Sequence, residues 1–158
     1  MRRFELHHLV IGAAKLLEAT RPRFDVGKVI VPPEVLNKPG QLTPEEWALM
    51  KRHPEEGLIL VADIDFPGDV RAMIRNHHER WDGKGYPDGL VGEATALPAR
   101  ILGIADVYDA LTSSRPYRRA LSHREGLDVM LSSHGQFDPR LLAVFTSWAQ
   151  TAIGSLAA

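Results

Sequence analysis

Cysteine is absent from this chain of 158 residues. Disulfide bonds and thiolate metal sites are therefore excluded, and any metal ion must be held by histidine and carboxylate ligands. The lack of cysteine also agrees with a reducing compartment, so we expect a cytoplasmic protein.

The sequence also lacks an excess of charge and any long apolar segment. It has 19 basic and 20 acidic residues, a balance that gives no strong attraction to duplex nucleic acid or to an anionic membrane. The longest apolar runs, such as LVIGAAKLL, are interrupted by Lys15 and are too short to span a bilayer. We expect a single domain with no membrane insertion and no binding of duplex nucleic acid.

Helix signals separated by proline- and glycine-rich loops make up the pattern of the chain. Thr43 and Ser122 each precede a glutamate by three residues, which is the spacing of a capping box at a helix start. Asp138 followed by a proline indicates another start. Helices are predicted over residues 5–19, 43–53, 54–64, 68–81, 97–114, 122–133 and 138–153, with residues 29–42 as a loop. The pattern shows no strand series, so the predicted fold class is all-α.

Three of the seven histidines are candidate metal ligands. His53 precedes a proline at the junction of two predicted helices. His77 and His78 are neighbours near a helix end, where two imidazoles can reach one ion close to the helix axis. Taken singly, each is more simply explained as a surface or hydrogen-bonded histidine.

Two carboxylates are candidates for the same kind of site. In RFDVGK, Asp25 lies three residues before Lys28 and directly after the apolar Phe24. Asp106 lies within the apolar segment RILGIADVYDAL, where a buried carboxylate is costly unless it is paired or binds metal. The simpler explanation for Asp106 is a salt bridge to Arg100 or Lys28.

Two further segments carry groups suited to a phosphorylated ligand. The glycines of WDGKGYPDG permit close backbone approach, and Tyr86 in this loop could present its hydroxyl to a ligand. SSRPYRRA supplies Arg115, Arg118 and Arg119, whose forked donors suit phosphate oxygens. Taken alone, WDGKGYPDG is more simply explained as a surface turn with a packed tyrosine, and SSRPYRRA as a solvated basic turn.

In combination, these segments resemble the HD-GYP family, a bacterial branch of the HD metal-dependent phosphohydrolases. The motifs that carry the resemblance are VGK, NKPGQLTPEEWALMKRHPEEG, HHERWDGKGYPDGL, ARILGIADVYDALTSSRPYRRAL and GQFDPRLLAVF, and it extends from about residue 24 to residue 146. It implies an HD-superfamily helical bundle that hydrolyses the messenger cyclic di-GMP at a cluster of two or three metals, often iron or manganese. Residues 23–158 would form this domain, preceded by an N-terminal helix in residues 1–22 that is shorter than in the family.

The resemblance also assigns roles to single residues. It implies metal ligands at Asp25, His53, His77, His78 and Asp106. It places Lys28 near the scissile phosphate, as a catalytic residue together with Asp25. It implies contacts to the dinucleotide from Tyr86, Arg115 and Arg118.

Phe24 departs from the family, because it stands where the family has the histidine of its HD pair. One ion would keep Asp25 and the three histidines, a set suited to iron, manganese or zinc. The other would keep only Asp25 and Asp106, which with water hold magnesium or manganese weakly. If the second ion is worth about 4 kcal/mol, its loss lowers the rate roughly 10³-fold. The expectation is one well-formed metal site and one weakened site.

Two functions follow from this departure. The first is a weak metal-dependent phosphodiesterase that opens cyclic di-GMP to the linear dinucleotide or to GMP. The alternative is a catalytically degenerate domain that binds cyclic di-GMP or a partner such as a diguanylate cyclase domain or another signalling protein. An inert helical domain is the third reading, and it leaves the retained set of histidines and acids without a cause.

Overall fold

The computed structural model describes residues 25–66, 70–114 and 119–156. Two 3-10 helices lie in these ranges, Val26–Ile30 and Gly92–Ala94. The α-helices there are α1 (Pro33–Leu36), α2 (Pro44–Met50), α3 (His53–Leu60), α4 (Val70–Asn76), α5 (Leu97–Thr112), α6 (His123–Ser132) and α7 (Pro139–Leu156).

The predicted all-α class is confirmed. Within the three described ranges no β-strand is found, and the one sheet-like pairing is an isolated antiparallel bridge between Asp82 and Val91. No helix in that part of the chain has both the length and the apolar character needed to cross a membrane. The predicted helix over residues 5–19 lies outside the described residues.

The predicted helix starts are confirmed by their hydrogen bonds. At the start of α2, the amide of Thr43 donates to Glu46 Oε2 over 2.7 Å, and the amide of Glu46 donates back to the Thr43 hydroxyl. Ser122 and Glu125 form the same reciprocal pair before α6. These starts were predictable because both partners lie within four residues of each other.

Several predicted boundaries are wrong, and the helices predicted over 43–53 and 54–64 end early, at Met50 and Leu60. The segment 29–42 is not all loop, because it contains α1, where Pro33 occupies the first turn, a position that tolerates the missing amide hydrogen. The helix predicted over 68–81 ends at Asn76. Nδ1 of His77 contacts the carbonyl oxygens of Met73 and Ile74, 3.2 and 2.9 Å away, and thereby takes up acceptors that a further helical turn would use.

The main core lies where α5, α6 and α7 pack together. Its buried side chains are Ile101, Ile104, Leu127, Met130, Leu141, Phe145 and Ala149. The other side of the molecule is built by α3, which packs against the first 3-10 helix and against α4, and α4 in turn packs on α5. Helix α4 and the turn after it therefore lie between the core and the segment that begins at Asp25.

Gly27 allows the first 3-10 helix to cross α3 at backbone distance. A Cβ atom at this position would lie 1.9 Å from the carbonyl oxygen of His53 and 2.5 Å from the amide nitrogen of Gly57. Both atoms belong to the backbone of α3 and cannot rotate away. The glycine thus fixes how closely Asp25, two residues earlier, approaches His53.

Gly27→Ala is expected to separate these two segments. The added methyl group overlaps helix backbone, so we expect a loss of about 1–3 kcal/mol of unfolding free energy, as for overpacked cores. Chemical denaturation measures this loss. Val29→Ala is the matched control, because Val29 is in the same 3-10 helix and is 75% exposed. Equal stability of the Gly27 variant and the control would contradict the tight crossing.

Candidate metal centre

Four side chains from three separate segments converge beside this crossing. Asp25 precedes the first 3-10 helix, His53 begins α3, and His77 and His78 follow α4. Each offers one ligand atom, and these four atoms all lie within 4.8 Å of one another. His53 and His77 are 1% and 3% exposed. The arrangement offers three imidazole nitrogens and one carboxylate oxygen around a common point.

Backbone carbonyls determine which nitrogen of His53 and His77 faces the centre. Nδ1 of His53 donates to the carbonyl oxygen of Met50 over 2.8 Å, and Nδ1 of His77 donates to that of Ile74 over 2.9 Å. A carbonyl oxygen only accepts, so the proton of each neutral ring lies on Nδ1. The two Nε2 atoms, 3.5 Å apart, then direct lone pairs at each other. This is the hydrogen-bonded orientation typical of metal-bound histidine.

The carboxylate of Asp25 adds a third acceptor to this pair. Its Oδ1 is 3.3 Å from Nε2 of His53 and 3.6 Å from Nε2 of His77, and this buried oxygen has no hydrogen-bond partner. Facing lone pairs need a positive charge between them, either a proton on an imidazole or a bound cation. The fourth convergent donor, from His78, favours a metal ion over a proton. The residues present therefore fit a divalent metal.

Lys28 approaches the same carboxylate from the other side. Its Nζ donates to Asp25 Oδ2 over 2.6 Å. Burial opposes ionisation of Asp25, but the hydrogen bonds that His53 and His77 donate when a proton lies on Nε2, together with the charge of Lys28, outweigh that effect and hold its pKa well below the usual range. Asp25 is thus an ionised candidate ligand whose second oxygen accepts a hydrogen bond from Lys28.

His78 stays neutral in this setting. Burial, together with the neighbouring rings of His77 and His53, lowers the pKa of His78 from 6.5 to about 2. Its Nε2 lies 3.1 Å from Nε2 of His53. Tyr86 stacks on its ring with centroids 4.8 Å apart and planes 24° apart. A neutral imidazole held between a ring and the centre is suited to bind metal.

The loop that carries Tyr86 is held by Glu79, the residue directly after the two histidines. Its carboxylate accepts from the amides of Asp88, Gly89 and Leu90 over 2.7, 3.1 and 3.0 Å. The amide of Tyr86 also donates to the carbonyl oxygen of His78. Glu79 thereby holds the end of the loop, and the His78 carbonyl holds Tyr86 itself beside the metal-ligand candidates. Sequence reasoning missed this role, and the adjacency of Glu79 to His78 was its only signal.

Helix α5 passes close to the same turn. A Cβ atom at Gly103 would lie 2.8 Å from the carbonyl oxygen of His77. Asp106, three residues later, is on the same side of the helix and lines a groove that also reaches His53 and His78. Asp106 is not among the four clustered ligands. The two salt-bridge candidates for it pair with other acids, Arg100 with Asp138 and Lys28 with Asp25.

The groove has a volume of about 650 Å³, within the range of small-molecule sites. Its polar lining includes Lys28, Lys38, Gln41, His53, His78, Tyr86 and Asp106. The two other predicted site residues, Arg115 and Arg118, lie outside the described residues, as does Phe24. Trp47 also lines the groove, and the sequence patterns had placed it only on a helix.

The chain is similar in sequence to the HD domain and to cyclic dinucleotide phosphodiesterases of bacteria. The sequence profile of the HD domain matches residues 13–141. The chain is 47% identical over 129 residues to the cyclic di-GMP phosphodiesterase response regulator RpfG of Xanthomonas campestris, a match that covers 80% of the chain and 34% of that protein. It is 39% identical over 144 residues to 3'3'-cGAMP-specific phosphodiesterase 1 of Vibrio cholerae, covering 90% and 33%.

A solved structure shows the same fold. Bd1817, an HDG"Y"P protein from Bdellovibrio bacteriovorus, superimposes with a TM-score of 0.66 at 23% identity, over 92% of this chain and 50% of that one. The chain spans about a third of the length of each of the two phosphodiesterases above.

Proposed function

Because the chain belongs to the HD-domain family, in its HD-GYP branch, we propose that it is a metal-dependent phosphodiesterase domain that hydrolyses cyclic di-GMP. The observation that carries this proposal is the set of facing lone pairs on Asp25, His53 and His77, completed by His78. The names of the relatives supply the substrate class, cyclic purine dinucleotides. The product would be the linear dinucleotide or GMP.

The four clustered residues would hold one divalent ion, iron or manganese first and zinc or magnesium as alternatives. A divalent ion at this place would lower the pKa of water and would offset negative charge on a phosphate. Asp106 and Asp25 are the remaining ligands for a second, weakly held ion. The substrate is a cytoplasmic messenger, so the activity belongs in that compartment.

Two residues of the chain are placed to handle the phosphate. Lys28 brings a positive charge to the groove beside Asp25, where it would neutralise a phosphate oxygen. Burial, and then the negative charges of Asp25 and Asp106, raise the pKa of Tyr86 above its usual value. Its hydroxyl therefore keeps its proton and can donate a hydrogen bond to the substrate. Arg115 and Arg118, which the resemblance assigns to contacts with the dinucleotide, would add positive charge suited to phosphate oxygens.

The direct test is hydrolysis of cyclic di-GMP by metal-free protein to which manganese or ferrous iron is added back. We expect slow turnover that depends on metal, with products separated by chromatography. Protein kept in chelator is the control. Tight binding of cyclic di-GMP without turnover would favour the alternative, a binding or partner-docking module, since Phe24 has replaced a ligand of the family. If the protein neither binds nor hydrolyses cyclic di-GMP, the phosphodiesterase and the cyclic di-GMP-binding module are both excluded, and only partner docking is left.

A further inference from the structure

Trp47 presents a large aromatic surface to the groove. It is 44% exposed, although it is one of the largest apolar side chains in the protein. Apolar neighbours Leu36, Leu42 and Met50 line the same groove. The indole therefore borders a cavity with a mixed lining, in which apolar side chains alternate with Lys38 and Gln41.

The other two tryptophans are occupied within the fold. The guanidinium groups of Arg100 and Arg140 lie 5.6 and 5.8 Å from the centroid of the Trp81 ring. Trp148 packs on Phe145 at the main core, with ring centroids 5.7 Å apart. Trp47 differs from both because the groove, rather than the protein interior, lies beside it.

A line of rings joins Trp47 to the metal-ligand candidates. Its ring meets Tyr86 edge-on at 6.4 Å, and Tyr86 stacks on His78 at 4.8 Å. Nζ of Lys51 lies 5.6 Å from the centroid of Trp47 and 5.7 Å from that of Tyr86. Cation–π attraction from this lysine favours the orientation that the indole has beside Tyr86.

We propose that Trp47 is a stacking platform for one purine base of a cyclic dinucleotide whose phosphate lies at the metal centre. This inference rests on the proposed function. Tryptophan stacks on any base because every base has a π-face, so the contact adds affinity without selecting between guanine and adenine. Selection between purines must then come from other groups of the groove.

The test compares Trp47→Ala and Trp47→Phe with the unchanged chain. Calorimetry with cyclic di-GMP and with 3'3'-cGAMP gives dissociation constants, and quenching of tryptophan emission by GMP reports stacking separately. For Trp47→Ala we expect both dissociation constants to rise by the same factor, roughly 5- to 150-fold, which is the range for loss of one base stack. Trp47→Phe retains a ring and should lose only a few-fold. In turnover assays, KM should rise while kcat changes little.

Leu131→Ala is the matched control, because Leu131 is 48% exposed, on α6, and does not line the groove. It should leave both dissociation constants unchanged.

If the unchanged chain binds cyclic di-GMP and Trp47→Ala binds it equally well, the stacking platform is wrong while the proposed function stands. If GMP quenches Trp47 but no cyclic dinucleotide is hydrolysed, the platform stands and the enzymatic function is wrong. If no nucleotide binds, both are wrong.

Discussion

His53→Ala is expected to abolish high-affinity metal binding and, with it, any hydrolysis. The residue contributes Nε2 to the cluster and is oriented by its bond to the carbonyl of Met50. Loss of an outer-shell partner alone typically costs 10- to 100-fold in metal affinity, so loss of a direct ligand should cost more. Metal content of the purified protein and the rate with cyclic di-GMP measure the two effects.

A thermal readout separates metal binding from activity. A metal at 100 times its dissociation constant stabilises a folded protein by about 2.7 kcal/mol, which for a chain of this length raises the melting temperature by roughly 5–10 °C. We expect this shift in the unchanged chain and none in His53→Ala. His53→Gln is the second variant, because glutamine fills more of the buried space than alanine does. Loss of the melting shift in both variants would then not be explained by a folding defect alone.

His134→Ala is the matched control for this experiment. His134 is exposed and lies in the turn before Gly135, and it is not one of the clustered histidines. Its replacement should leave metal content, melting shift and rate unchanged. Full metal occupancy in His53→Ala would show that the converging nitrogens do not form a metal centre.

The parts of the fold that sequence predicted well are those whose causes are local. The capping boxes at Thr43 and Ser122 depend on partners three residues away, and both formed as expected. The end of α4 was misplaced by several residues because nothing apolar or conformationally special marks Asn76. The ring of His77, which turns back onto the preceding carbonyls, ends the helix, and a side-chain bond of this kind leaves no trace in hydrophobic periodicity.

The candidate metal centre was predictable as a set of residues but not as a geometry, because the sequence does not show how the four side chains converge. Resemblance to the HD-GYP family, now confirmed, supplied Asp25, His53, His77 and His78 as candidates. Their convergence depends on the backbone contact at Gly27, between segments 26 residues apart, and no spacing rule predicts such a crossing. The hydrogen bonds from the loop amides to Glu79 were also missed. Their donors lie nine to eleven residues later in a loop, and no spacing rule predicts such contacts.

Phe24→His is expected to strengthen the second metal site. Phe24 lies outside the described residues, so the prediction depends on its position directly before Asp25 and on the chemistry of the side chain. Phenylalanine has no lone pair, whereas imidazole can bind a metal beside Asp25 and Asp106. If the second ion contributes about 4 kcal/mol to the transition state, hydrolysis should rise by up to roughly 10³-fold. Metal content should increase from about one ion per chain towards two.

Phe24→Leu is the control for this change, because it alters the side chain without adding a ligand, and it should match the unchanged chain in both measurements. A second ion already bound firmly by the unchanged chain, with rapid turnover, would show that Phe24 does not weaken the site. An increase in metal content without an increase in rate would point to a different limit on turnover. In that case the ion held by the three histidines, which is present in the unchanged chain and in Phe24→His alike, would serve binding of the messenger more than its hydrolysis.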